Sequence, residues 1–341
     1  MTTLKRIAVL TSGGDAPGMN AAIRAIVIAA HHYNIEVIGF YHGYNGLIEH
    51  EMTTLVSSDV NDIIQRGGTL LKSARCPTMQ TNTGLKQAAD TLKKENIDAL
   101  IVIGGDGSFR GLLALKKYWT GLTIGIPGTI DNDIDGTDFT IGFSTAVNTA
   151  IEAVDKIRDT ANAFDRVFIV ELMGRHSGHI TFNVGIACAA EQVLSFENIE
   201  KTKGVFDQNK QLKKLARDIK SAQVNKHNSY LIVTAENLWQ GGATQLAIAL
   251  QQQDIDATPC ILGHIQRGGS PVAKDRILAT KMGVAAIQFL FSGKTNLMIG
   301  EQNNAICAIP LNIAVKQNKK VSKSLIDAQQ NILALTAQYD C

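Results

Sequence analysis

Short apolar runs alternate with longer stretches of helical periodicity along most of the chain. Ile7–Leu10, Val37–Tyr41, Ala99–Ile103, Leu122–Ile126, Val167–Glu171, Tyr230–Thr234 and Pro259–Leu262 read as strands. Ala99–Ile103 is apolar throughout, which predicts a central, parallel strand. Ala21–Ala30, Leu85–Asn96, Phe109–Tyr118, Gly242–Gln253 and Lys274–Phe291 read as helices, and Gly43–Gly46 as a turn. After Gly142, Ala146, Val147, Ala150, Ile151, Val154 and Ile157 recur at helical spacing and predict a further helix. Cys188–Ser229 is charged and amide-rich, and reads as one surface helix with flanking loops. Strands that alternate with helices predict an α/β fold with mostly parallel sheets and helices on both faces. The length of 341 residues allows two such Rossmann-like, three-layer domains.

Three predicted strands run straight into glycine-rich segments. The first is Thr11-Ser12-Gly13-Gly14-Asp15-Ala16-Pro17-Gly18, the second Gly104-Gly105-Asp106-Gly107-Ser108. The third, Gly125 to Asp138, reads GIPGTIDNDIDGTD and gathers Thr129, Asp131, Asn132 and Asp133 within five positions. Each alone is explained by ordinary turn chemistry. Their recurrence at three strand ends is not, because open α/β sheets bind ligands at the carboxyl edge of their strands. Strand, glycine turn and helix together aim backbone N–H groups and a helix dipole at an anion. Neither G-x-x-x-x-G-K-[ST] nor G-x-G-x-x-G is present, so a P-loop NTPase and an ordinary dinucleotide fold both fit poorly.

Arginines stand in the remaining loops. Arg75 precedes a Cys-Pro step that disfavours helix at Cys76, Arg166 and Arg175 bracket one strand, and Arg267 follows His264 by three residues in a glycine loop. An amide cradle, one isolated acid at Asp106 suited to Mg²⁺, positive charge for equatorial oxygens and an acid pair at Asp131 and Asp133 are the parts phosphoryl transfer requires. Hydride transfer needs no such arginine set.

Composition narrows the partners. A net charge of +2 and the absence of a Lys/Arg run give no nucleic-acid groove. No apolar run reaches the roughly 18–20 residues of a membrane span, and MTTLKRIAVLTSGGD lacks a signal-peptide pattern. Five scattered cysteines without a C-x-x-C pair argue against a disulfide framework or zinc site, and suit a reducing cytoplasm. A soluble cytoplasmic protein is expected.

The segments LTSGGDAPGMNAAIR, IIQRGGT, KSARCP, VIGGDGS, GTIDNDIDGTDFTIGF, ELMGRHSGH and LGHIQRGGSP, in that order from Leu10 to Pro271, closely resemble the ATP-dependent 6-phosphofructokinases of bacterial type. The set is specific, although GGDG alone is shared with NAD and lipid kinases. The resemblance implies the phosphofructokinase fold. Its larger, ATP-binding domain would comprise residues 1–141 and about 266–318. A smaller sugar-phosphate domain would comprise 142–265 and about 319–341. It implies that Gly14, Arg75, Cys76, Gly105, Asp106, Gly107 and Ser108 contact ATP, with Mg²⁺ on Asp106. Asp131 would be the base on the 1-hydroxyl of fructose 6-phosphate, beside Thr129 and Asp133. Met173, Gly174, Glu236, His264 and Arg267 would bind the sugar phosphate, with Arg175 near the transferring phosphoryl group. Arg166 would reach the sugar phosphate across a subunit interface, which implies a homotetramer. Gly107 and Gly128 stand where pyrophosphate-dependent relatives carry Asp and Lys, which favours ATP as donor.

Three departures accompany the likeness. A second cross-interface arginine is replaced by Thr258, which predicts weaker sugar-phosphate binding or another sugar such as tagatose 6-phosphate. At the allosteric nucleotide site Arg24 and Glu191 remain, but family arginines fall on Ile28 and Ser57 and basic residues on Asn225, His227 and Ser229, so control by ADP or phosphoenolpyruvate is expected to be reduced or absent. An insertion lies between Glu197 and Glu236. Competing readings are a non-catalytic regulatory subunit, against which the full catalytic-type residue set argues, and an NAD kinase, which leaves the Asp131 cluster unexplained.

Overall fold

The computed structural model describes residues 4–164, 166–224, 229–316 and 318–339, the side chains of 333–339 excepted. Asn225 and His227 therefore lie outside the described residues. The chain divides into two compact units. The first comprises Met1–Ile130, Ile134–Thr145 and Arg267–Lys319, and the second Asp131–Asp133, Ala146–Gln266 and Lys320–Cys341.

The first unit is built on β1 (Arg6–Ser12), β2 (Glu36–Phe40), β3 (Met52–Leu55), β4 (Ala99–Gly104), β5 (Leu122–Thr129), β6 (Ile141–Gly142), and the later strands β13 (Leu297–Gln302) and β14 (Ala305–Pro310). Their order is β14-β13-β5-β4-β1-β2-β3, with β6 paired to β5. The inner pairings are parallel, and only β3 and β14 at the edges run antiparallel. β4 is buried at every residue, because it lies between β1 and β5 with both faces covered.

The helices of this unit are α1 (Met19–His32), α2 (Tyr44–Glu49), α3 (Asn82–Lys94), α4 (Asp106–Leu115), α9 (Ala273–Phe291) and α10 (Leu311–Ala314). α3 begins three residues before its apolar stripe because the Thr81 hydroxyl accepts from the Gly84 N–H at 3.1 Å and caps it. It then buries Leu85, Ala88, Ala89 and Leu92. The segment Gly43–Gly46, expected as a turn, instead opens α2. A Cβ on Gly46 would come within 1.9 Å of the Tyr41 carbonyl, so the chain can only coil tightly there with glycine.

The second unit has a four-stranded, wholly parallel sheet of β7 (Val167–Leu172), β8 (Gln192–Leu194), β11 (Tyr230–Ala235) and β12 (Ala257–Ile261), in the order β12-β7-β11-β8. Its helices are α6 (His179–Ala187), α7 (Gln208–Val224), α8 (Gly242–Gln251) and α11 (Lys323–Tyr339). α5 (Phe143–Phe164) is the long helix read from its periodicity, and the chain passes from one unit to the other within it. Val167, Ile169, Leu215, Ile219, Ile232, Leu246 and Leu250 form the core. The stretch expected to be irregular holds β8 and the antiparallel hairpin β9 (Lys201–Thr202) and β10 (Val205–Phe206) besides its helix. Strands of two or three residues are too short to display a period.

Candidate active site

Parallel pairing sets Ser12 beside Gly104, and Gly104 beside Pro127, at the carboxyl edge of the first unit's sheet. Gly104 has no room for a side chain, since a Cβ would stand 2.5 Å from the Ser12 carbonyl and 2.6 Å from Ser108 Oγ. Ser108 Oγ donates to that same Ser12 carbonyl at 3.1 Å, and the Ser108 carbonyl accepts from the Tyr44 hydroxyl at 2.7 Å. Tyr44 is buried, and its desolvation pushes the phenol pKa up, so it remains a donor.

Asp106, Gly107 and Ser108 occupy the first turn of α4, not a loop ahead of it. Extended Gly105 ends β4's turn and leaves the helix start without a side-chain cap. That geometry suits an anion at the helix N-terminus. A Cβ on Gly107 would meet nothing within 4 Å, so the glycine keeps open space beside the helix start. The Asp106 carboxylate is a quarter exposed and 3.6 Å from the Arg110 guanidinium.

The first glycine loop is tied to the arginine loop. Gly13, at φ 92°, donates to the Ala74 carbonyl at 3.3 Å, and its own carbonyl accepts from Ser73 Oγ at 2.8 Å. Arg75 and Cys76 follow directly, Arg75 exposed and Cys76 half-buried. Arg267 lies against Gly14 and donates from Nη1 to the Asp15 carbonyl at 3.1 Å. Thr129 closes β5, buried, its carbonyl accepting from Thr140 Oγ1 at 2.6 Å.

In the second unit Asp131 and Asp133 are both more than nine-tenths buried, and they flank Asn132 at φ 52°. Asparagine tolerates this left-handed geometry better than most side chains. At the carboxyl edge of the parallel sheet, Glu236 Oε1 accepts from the Gly174 N–H at 3.1 Å and the Arg175 N–H at 2.7 Å. Asn237 Nδ2 donates to the Arg175 carbonyl at 3.2 Å. Gly174 and Arg175 have φ of 143° and 60°, so the loop after β7 is wound tightly around the Glu236 carboxylate. The turn carrying exposed His264 follows β12, next to β7 in the sheet.

Arg166 does not join this group. It precedes β7, whereas Met173, Gly174 and Arg175 follow it, and a six-residue strand separates the two ends by roughly 20 Å. Thr258 pairs with Phe168 near the same amino edge as Arg166. The sequence reading missed Tyr44 and Asn20, whose amide spans the Arg66 and Gly67 carbonyls and the Leu70 N–H. The signal available for both was a polar side chain inside a glycine-rich, otherwise apolar stretch.

The family model for phosphofructokinase matches residues 6–290. The chain belongs to the phosphofructokinase family. A Thermus thermophilus protein named ATP-dependent 6-phosphofructokinase 1 is 46% identical over 333 residues, covering 97% of this chain and all of that relative. An ATP-dependent 6-phosphofructokinase of Macrococcus caseolyticus is 48% identical over 303 residues, covering 89% of this chain and 91% of its own length. Phosphofructokinase from Saccharomyces cerevisiae superposes with a TM-score of 0.82 at 34% identity; the match covers 96% of this phosphofructokinase and 47% of the yeast chain, about half its length. The phosphofructokinase fold expected from the motifs is therefore the one observed. Among the described residues no helix is long and apolar enough to cross a membrane.

Proposed function

We propose that this phosphofructokinase transfers the terminal phosphoryl group of Mg-ATP to the 1-hydroxyl of fructose 6-phosphate, yielding fructose 1,6-bisphosphate and ADP in glycolysis. The observation that carries the reading is end-to-end identity of 46% with an ATP-dependent 6-phosphofructokinase, in a chain that keeps every catalytic-type residue of the motifs.

In this reading Gly14, Arg75, Cys76, Gly105, Gly107 and Ser108 receive ATP. The open space at Gly107 and the uncapped start of α4 suit its phosphates. Asp106 fits Mg²⁺, because it is a partly exposed hard-oxygen donor and Mg²⁺ is usually held by one or two carboxylates plus substrate phosphates. The bound ion would neutralise charge on the phosphates. Asp131 takes the proton of the 1-hydroxyl as that oxygen bonds the γ-phosphorus and the bond to ADP breaks. Thr129 and Asp133 hold the acceptor in line, and Arg175 balances charge on the transferring group. Met173, Gly174, Glu236, His264 and Arg267 bind the sugar phosphate.

Arg166, at the far edge of the sheet from that group, would serve a neighbouring subunit's site in a homotetramer, and the enzyme would work in the cytoplasm. Gly128 supports ATP over pyrophosphate as donor: a Cβ there would stand 2.9 Å from Ile103 Cγ2, so a lysine would fit only if that side chain shifted. Weak effector control is supported by Glu191, whose oxygens are taken by Arg158 at 2.8 Å and the Leu231 N–H at 2.7 Å.

Thr258, near the same amino edge of the sheet as Arg166, favours one second reading, a kinase of the same fold for another sugar phosphate such as tagatose 6-phosphate. Measuring kcat/KM for both sugars decides it. A higher value for fructose 6-phosphate supports the first reading, and a preference for tagatose 6-phosphate replaces it.

A further inference from the structure

Gln266 is fully buried in the 3₁₀ turn Gly263–Arg267, two residues after His264 and one before Arg267. Its Oε1 accepts from the Met173 N–H at 2.8 Å. That N–H also fixes how the amide is turned, since the nitrogen end cannot accept. The Nε2 end is buried and meets no acceptor among the described residues. An apolar side chain would fill the same space without desolvating an amide, so packing gives no reason for glutamine here.

The hydrogen bond does give one. Met173, Gly174 and Arg175 present three consecutive N–H groups, the first held by Gln266 and the next two by Glu236. Arg175, at φ 60°, is in a left-handed conformation that a residue with a side chain keeps only where the surroundings over-determine it, and Gly174 before it supplies a φ of 143° that glycine adopts freely. The Leu262 N–H, donating to the Glu171 carbonyl at 3.1 Å, anchors the approach to the 263–267 turn on β7. Gln266 then ties the body of that turn to the end of the same strand.

We propose that Gln266 is a positioning residue that locks the Met173–Arg175 loop to the turn bearing His264, and thereby sets the affinity of this phosphofructokinase for its sugar phosphate. What the loop binds rests on the reading given under Proposed function; the lock itself does not.

The test uses the full-length enzyme with Gln266→Met and Gln266→Glu. Hydrogen exchange across residues 173–178 reads the lock, calorimetric binding of fructose 6-phosphate reads affinity, and the KM for ATP is the control. Loss of the acceptor in Gln266→Met is expected to speed exchange and to raise the sugar-phosphate Kd, each roughly tenfold. The KM for ATP stays within about twofold of the wild-type value.

Gln266→Glu adds a readout that a filler of core volume would not move. Burial favours its neutral carboxyl, which matches glutamine in shape, so at the acid end of a pH 6–8.5 series it is expected to bind sugar as the wild type does. As pH rises to 8.5 it ionises near the Glu236 carboxylate and weakens binding of the anionic sugar. Gln266→Met tracks the wild type over the same range. Unchanged exchange or unchanged sugar affinity in Gln266→Met overturns the proposal, as does an equal loss for both substrates. If that variant fails to fold, a Gln266→Glu affinity that does not vary with pH relative to the wild type overturns it. A wild-type protein that does not bind fructose 6-phosphate overturns the functional reading and the affinity half of this inference, while the exchange comparison still judges the lock.

Discussion

The Arg267 guanidinium lies across Gly14, so that a Cβ on residue 14 would stand 2.5 Å from Nη1. One residue assigned to ATP and one assigned to the sugar phosphate thus share a contact inside the first unit. The obstructing atoms are the tip of a flexible side chain, and Gly14 has no positive φ. Gly14→Ala is therefore expected to fold at a cost of about 1 kcal/mol or less. Displacement of Arg267 is expected to raise the sugar-phosphate KM roughly tenfold, with a rise in the ATP KM as well. Thermal unfolding and steady-state kinetics on the same preparation check this, and a variant with wild-type KM values would show the contact to be idle.

Gly104 and Gly107 separate packing from ligand space. Gly104→Ala drives a Cβ to 2.5 Å from a backbone carbonyl, and overpacking of this kind costs about 1–3 kcal/mol. Gly107→Ala meets nothing within 4 Å and lies in the first turn of α4, where alanine favours helix by up to about 1 kcal/mol. The expected outcome is a lower Tm with Gly104→Ala, and an unchanged or higher Tm with a raised ATP KM for Gly107→Ala. An ATP KM unaffected by a methyl at residue 107 would remove the phosphates from that space.

Lys319 carries a pH signature. Burial pushes its ammonium down to about 8, against the pull of Asp138 and Asp135 and with Lys274 nearby adding to the fall. The unfolded chain keeps this proton up to about 10.4. Between those values the unfolded state binds more protons, so stability attributable to this residue rises with pH across that window and is lowest below it. Relative to Lys319→Met, the wild type is expected to gain Tm between pH 7 and pH 9.5. Paired melts at the two pH values measure it, and a difference that does not change with pH would contradict the assignment.

Much of the site was legible because it lies where apolar runs stop. The ends of β1, β4 and β5 announce themselves by the switch from Val, Leu and Ile to glycine, and α4's start was misplaced only by the three residues that Gly105 admits to the helix. The separation of Arg166 from Met173 was also implicit, since a strand lies between them. The hydrogen bonds of Glu236 to the 174–175 backbone and of Gln266 to Met173 were not legible. They depend on β7 pairing with β11 on one side and β12 on the other, which residues far apart in the chain decide together. β3, β6, β8 and β14 escaped because strands that are short or at an edge carry little period of their own; β13 lies inside the sheet, but its apolar run stops at Ile299 and the rest of it reads Gly-Glu-Gln.

The most direct test of the functional account is fructose 6-phosphate-dependent release of ADP from Mg-ATP, followed for the wild type and for Asp131→Asn over a wide range of sugar concentration. The account predicts saturable, sugar-dependent turnover in the wild type. It predicts a kcat lower by roughly 10²–10⁴ in the variant, with folding and ATP binding retained, because a base has been removed from the proton transfer. Sugar-independent ADP release by the wild type, or ordinary turnover by Asp131→Asn, would contradict it.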